Sequence, residues 1–175
     1  LLLIRWTCRL YIDLMRSVPL IAVLFFGQLL IPLFLPIEIE ISRVLRAVMA
    51  FSAFASSYIA EDLRGGIQSI PKTQKEAAKV IGLSSRQIFL LVILPQAFRT
   101  SLPALTNQLI GLLQNTSLMA ILGLVELLGI SQSILANPEF IGRYLEMYIW
   151  LAAIYWFLCT GIALLSSNIE KKLNY

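Results

Sequence analysis

The stretch Ser69–Ala97 reads SIPKTQKEAAKVIGLSSRQIFLLVILPQA, polar and basic in its first half and apolar in its second. From Thr73 to Leu83 it can form a short amphipathic helix. Ala77, Ala78, Ile81 and Gly82 line one side, and Lys72, Lys75 and Lys79 are more exposed. Ala and Gly carry no bulk, so that side can lie in a groove on a partner. Glu76 is read at the first turn, where a negative charge complements the helix dipole and could pair with a partner's arginine. Ser84 or Ser85 is placed to cap a second helix, because a side-chain oxygen satisfies the free N–H groups at a helix start. Pro95 then kinks or ends that helix.

The rest of the chain sets this stretch in a membrane. Of 175 residues, 58% are hydrophobic and 14% charged, against roughly a quarter charged in soluble domains. Val18 to Pro36 carries no formal charge and is the first candidate span, with Pro19 in its first turn and Pro36 at its end. A second runs from Val44 to Ala60, with Ala50, Ser52, Ala53, Ala55, Ser56 and Ser57 allowing close helix approach. From Glu61 to Gln87 the chain holds eight of its 24 charges, with Gly65, Gly66 and Pro71 read as breakers of a loop. Ile88 to Leu128 is too long for one span and is interrupted by Pro95, Pro103, Asn107, Gln114, Asn115 and Glu126. It reads as a broken helix followed by a re-entrant or partly embedded segment. Tyr148 to Ser166 is the last span, with Tyr148, Trp150, Tyr155 and Trp156 near its start. The opening Leu1-Leu2-Leu3-Ile4 reads as the tail of a helix begun upstream.

Charge then orients the bundle. With the Glu61–Gln87 loop and the C-terminus inside, the inner set is Arg5, Arg9, Arg16, Arg64, Lys72, Lys75, Lys79, Arg86, Arg99, Lys171 and Lys172. The outer set is Arg43, Arg46 and Arg143, so eleven basic residues face three. The expected fold is an all-α polytopic membrane bundle of about five transmembrane helices, the first truncated. It forms a single membrane domain over 1–175 with a cytoplasmic loop at 64–86. The net charge of +4 follows from this bias, and no basic patch interleaved with aromatics points to nucleic acid. There is no His, and Cys8 and Cys159 are isolated, so neither a metal site nor a disulfide framework is expected.

Within the opening stretch, Glu76-Ala77-Ala78, Gly82, Leu94 and Pro95 have the spacing of the EAA signature, and the chain resembles the permeases of ABC importers. Val92 stands where that signature has Ile. YIDLMRSVPLIAVL (Tyr11–Leu24), YIAEDLRGGIQSIP (Tyr58–Pro71) and NTSL (Asn115–Leu118) are similar to segments of the polar amino acid subfamily. There, an acidic residue usually occupies the position held here by Asn115. The resemblance implies a type I importer membrane domain in a bacterial inner membrane, its C-terminus cytoplasmic. It implies Glu76, Ala77, Ala78, Gly82, Leu94 and Pro95 as the contact to a pair of ATPase subunits. It also implies a second permease, identical or related, an extracytoplasmic amino acid-binding protein and membrane lipid as partners. No cofactor is expected on this chain. ATP is used by the partner, since no phosphate-binding GxxxxGK[ST] loop occurs.

Polar side chains at membrane depth usually face a bundle interior or a water-filled cavity. Gln114, Asn115, Thr116 and Ser117, with Asn107 and the isolated Gln28, are therefore candidates for a substrate pathway. Asn, Gln, Thr and Ser offer both donors and acceptors, which the carboxylate and ammonium of an amino acid need close together. The competing role is interhelical hydrogen bonding. Glu126 could lie in the pathway, but its reading is as a residue that reaches the outer surface or a polar partner. Glu61, Asp62 and Arg64 form an interfacial cluster that could include a gating ion pair. An intramembrane enzyme is a poor alternative. The Lys residues before the C-terminus all lie in the loop, and the only Asp residues are Asp13 and Asp62, so no catalytic site is expected. A non-transporting anchor subunit would tolerate apolar replacements at Gln114–Ser117.

Overall fold

The structure is a computed structural model, and it describes residues 2–36 and 40–173; Leu1, 37–39 and 174–175 lie outside the described residues. All regular structure among the described residues is helical. Helix α1 (Leu2–Ser17) stops before Val18-Pro19, because a proline disfavours helical backbone at the residue before it. Pro19 is the N-cap of α2 (Leu20–Leu33) and lies outside its first turn, its carbonyl accepting from Ala22 N (3.0 Å) and Val23 N (3.3 Å). Helix α2 ends at Leu33, earlier than expected, and holds Pro32 in its last turn. Its 14 residues reach about 21 Å, short of a hydrocarbon core of about 30 Å. Helices α1 and α2 meet at a bend of 109°.

Helix α3 (Arg43–Ser69) begins at a Ser42 cap that accepts from Leu45 N, and it runs 27 residues, about 40 Å. It passes straight through Gly65 and Gly66, so neither glycine breaks it, while Pro71 stands as expected at the break, just past its end and as the N-cap of the next helix. Interior glycine costs only about 1 kcal/mol relative to alanine, and packing can outweigh that. At Gly66 the packing is visible: a Cβ there would sit 1.9 Å from Ser101 Oγ and 2.6 Å from the Ala97 carbonyl. Gly27 of α2 has the same function against α3, where a Cβ would meet that of Ala50 at 2.6 Å. Ala50, Ala55 and Ser57 are buried as the small-residue pattern predicts, Ala53 is half-buried, and Ser52 and Ser56 are exposed; Ala47, outside that pattern, is buried too. Leu20, Val23, Leu24, Ala50 and Phe54 form the main core, with Leu118 and Leu122 packed onto it.

From Ser85 to Leu122 the chain is one continuous helical run, not a helix broken at its prolines. It comprises α5 (Ser85–Gln87), a π-helical turn (Ile88–Ile93), α6 (Leu94–Asn115) and a 3-10 turn (Thr116–Leu122). The π turn explains how Pro95 is tolerated. Leu94 N–H reaches back to the Phe89 carbonyl, and the widened turn precedes the residue that has no N–H to give. Gln96 Nε2 donates to the Val92 carbonyl (2.8 Å), supplying a bond from its side chain. Gly123, at φ +70°, ends the run. The continuous run takes up most of the region expected to hold an embedded segment; a short helix, α7 (Leu127–Leu135), follows it, and α8 (Tyr144–Leu173) exceeds the expected last span at both ends. Helix α8 is joined to α6 by the Thr106 and Ser166 hydroxyls. Two runs, Ser85–Leu122 and Tyr144–Leu173, are singly long and apolar enough to cross a membrane, and the bent α1–α2 pair would make a third.

Candidate functional site

Helix α4 (Lys72–Val80) projects between the ends of α3 and the Ser85 run, and Pro71 precedes it as N-cap. It starts one residue before the expected helix and ends three before. The cause is Gly82, whose φ of +85° closes the helix in a Schellman motif: Gly82 N–H donates to Lys79 O (3.0 Å) and Leu83 N–H to Ala78 O (3.1 Å). Leu83 then packs back toward Ala78, the apolar contact that accompanies this motif. Ser84 follows as the cap, in a reciprocal box. It accepts from Gln87 N (3.4 Å), and the Gln87 side chain accepts from Ser84 N (2.9 Å).

This geometry divides the signature residues differently from the expected single side. Ala78 is buried (4% exposed) on Ile88 and Ile93, within a ring of Ile67, Ile70, Leu83 and Val92. It holds α4 to its own bundle and does not share an outer surface with Ile81. Ala77 and Glu76 are exposed, and Val80 and Ile81 stand out at 87% and 75% exposure among Lys72, Lys75 and Lys79. Glu76 is the fifth residue of α4, past the first turn, and so is too far along to complement the dipole there. Leu94 and Pro95 are exposed at the junction of the π turn with α6. The outward apolar pair includes Val80, which sequence reasoning passed over. The glycine at 82 was the signal in the sequence that α4 ends before it, leaving Val80 and Ile81 at an exposed helix end.

The polar candidates fall into two places. Asn107 and Gln114 are seven residues apart on α6, two turns along one face, and both are exposed. Gln114 Nε2 lies 3.9 Å from Cys159 Sγ on α8. Thr116 and Ser117 donate back to the carbonyls of Leu113 (2.7 Å) and Gln114 (2.8 Å), which fits the tightening into a 3-10 turn and occupies their hydroxyl protons. Asn115 is half-buried at that transition. Gln28 stands apart: its Nε2 donates to the Arg43 carbonyl (2.7 Å) and its own carbonyl accepts from Arg46 Nη1 (2.7 Å), tying α2 to the start of α3. Replacing Gln28 by leucine is expected to lower thermal stability by about 1 kcal/mol through the lost Arg43 bond, measured by unfolding in detergent.

Two acidic residues also have defined roles. Glu126 caps α7, accepting from Leu128 N (2.9 Å) and Gly129 N, and Tyr155 Oη of α8 lies 3.5 Å from it. Glu61 accepts from Arg64 Nε (2.9 Å) and pairs with Arg16 (3.4 Å), whose guanidinium lies 5.5 Å from the Tyr58 ring centre. The cluster thereby fastens α1 to α3.

Together these features define a multi-pass helical membrane protein with a short helix presented at one end of the bundle. Residues 3–175 match the family of binding-protein-dependent transport system inner membrane components, and the chain belongs to that family. It is 38% identical over 172 residues to the inner membrane amino-acid ABC transporter permease protein YhdY of Escherichia coli K12. That match covers 98% of this chain and 47% of the relative, about half its length. It is 41% identical to the probable amino-acid ABC transporter permease protein YckA of Bacillus subtilis 168, covering 98% of this chain and 74% of that one. A crystal structure of an amino acid ABC transporter with histidines superimposes with a TM-score of 0.80 at 31% identity, covering 93% of this chain and 73% of that one.

Proposed function

We propose that this chain is the membrane-spanning permease subunit of an ATP-driven importer of polar amino acids. The observation that carries the proposal is the seating of α4. The helix is anchored inward by Ala78, while Glu76, Ala77, Val80 and Ile81 face outward with nothing covering them. A pair of ATPase subunits takes this surface. A second permease, identical or related, completes the pathway, and an extracytoplasmic binding protein delivers the cargo. The names of the amino-acid permeases YhdY and YckA support the cargo class. The positive-inside bias supports a cytoplasmic α4 and C-terminus in a bacterial cell. ATP is bound and hydrolysed by the partner, with no cofactor on this chain.

Asn107 and Gln114, spaced along one face of α6, are the side chains assigned to the cargo, with Asn115, Thr116 and Ser117 where α6 passes into the 3-10 turn. Proteoliposomes holding the chain, its ATPase pair and the binding protein are expected to take up a labelled polar amino acid only with ATP inside. No ATP-dependent uptake of any polar amino acid would refute the reading. In the same vesicles Asn107→Leu with Gln114→Leu is expected to cut uptake about tenfold while the complex still assembles. Unchanged uptake would make these residues packing groups.

A further inference from the structure

We propose that α1 lies along the cytoplasmic membrane surface as an anchor that selects anionic phospholipid. Its 16 residues, LLIRWTCRLYIDLMRS, sort into three faces. Tyr11 and Met15 turn toward α3: Tyr11 Oη donates to the Ala53 carbonyl beside Ser56 Oγ, and Met15 packs on the main core. Leu3, Trp6, Leu10 and Leu14 recur at helical spacing on a second face and are all exposed, Trp6 at 63%. Arg5, Arg9 and Arg16 occupy the third face, within about 40° of one another at 3.6 residues per turn. This third face adjoins the apolar one. Long basic side chains beside an apolar strip carrying Trp and Leu form the pattern of a helix lying in the plane of an interface.

The fold supplies the orientation. The 109° bend puts α1 about 20° from perpendicular to α2, so with α2 entering the bilayer along its normal α1 runs close to the membrane plane. Arg5, Arg9 and Asp13 face Glu61, Arg64 and Gln68 across an open cleft of about 650 Å³, at the end of α3 that leads into the basic α4. Among the described residues Glu61 is the carboxylate that forms ion pairs, and its partners are Arg16 and Arg64; Arg5 and Arg9 pair with none. Two free guanidinium groups above an apolar strip match a phosphate headgroup above acyl chains. This rests on the membrane orientation given above but not on the cargo.

The test uses the full chain with Trp150→Phe and Trp156→Phe, leaving Trp6 as the reporter. It is placed in phosphatidylcholine vesicles containing phosphatidylglycerol or phosphatidylcholine brominated near the headgroup or near the chain end. Trp6 is expected to be quenched best by the label near the headgroup, with an apparent preference for phosphatidylglycerol of about 10- to 30-fold. That preference is expected to fall to near parity in Arg5→Gln with Arg9→Gln and to survive in Arg5→Lys with Arg9→Lys, which controls for folding. Strongest quenching by the chain-end label would mean that α1 crosses the bilayer, and absent quenching that it lies in water. Either result, or equal quenching by the two lipids in the chain with both arginines, overturns the proposal. Because no transport is read, these outcomes are separate from any failure of the importer assignment.

Discussion

Gly66→Ala is expected to destabilise the bundle by about 1–3 kcal/mol, while Gly65→Ala, one residue away, is expected to stabilise it by about 0.5–1 kcal/mol. The two glycines share a helix and a local sequence, so helix propensity predicts the same gain for both. They differ in what lies beyond them. A methyl at Gly65 meets nothing within 4 Å, whereas one at Gly66 lands 1.9 Å from Ser101 Oγ and 2.6 Å from the Ala97 carbonyl. Ser101 could rotate away, at the cost of its bond to the Asp62 carbonyl (3.1 Å), but the Ala97 backbone cannot move without shifting α6. Denaturant unfolding in detergent should give opposite signs for the pair. Equal stabilisation would mean that α3 and α6 do not approach as closely as the structure places them.

The second large effect is expected at Gly82. Valine there must take a φ of +85°, which costs an L residue about 1–2 kcal/mol and a β-branched one more. Relieving that strain opens the bonds from Gly82 to Lys79 and from Leu83 to Ala78, and with them the seat of α4. Gly82→Val is expected to insert normally and to keep the α3–α6 contact, yet to lose tenfold or more of ATP-driven uptake. Val80→Asp with Ile81→Asp should lose uptake equally while leaving the turn intact, because it alters only the exposed surface. If Gly82→Val transported at the parental rate, α4 would not be the element that transmits ATP hydrolysis.

How much of this was visible in the residues depends on where each cause lies. The apolar runs that became α6 and α8 were legible because lipid selects on composition alone, and Ser84 was legible because a cap is satisfied three residues away. Gly65 and Gly66 misled because the reason for Gly66 is Ser101 and Ala97, more than 30 positions on in another helix. Pro95 misled in the same direction, since a local rule gives a kink or an end and the chain answers with a π turn. On α4 the expected single side of small residues does not form. Ala78 turns inward because Ile88 and Ile93 come back beneath it, which no periodicity within 73–83 could reveal. Gln28 reads as a pathway residue from its polarity alone, whereas its amide donates to the Arg43 carbonyl, a partner 15 positions on in another helix.

Under the proposed function, an ATPase grips this membrane domain at the outer face of α4. The most direct measurement is cross-linking from Val80→Cys, in a chain whose Cys8 and Cys159 are replaced by serine, to the ATPase pair in assembled proteoliposomes. A cross-link is expected from Val80→Cys and none from Ala78→Cys, which faces the bundle. A cross-link from the buried position, or none from the exposed one in a complex that hydrolyses ATP, would contradict it.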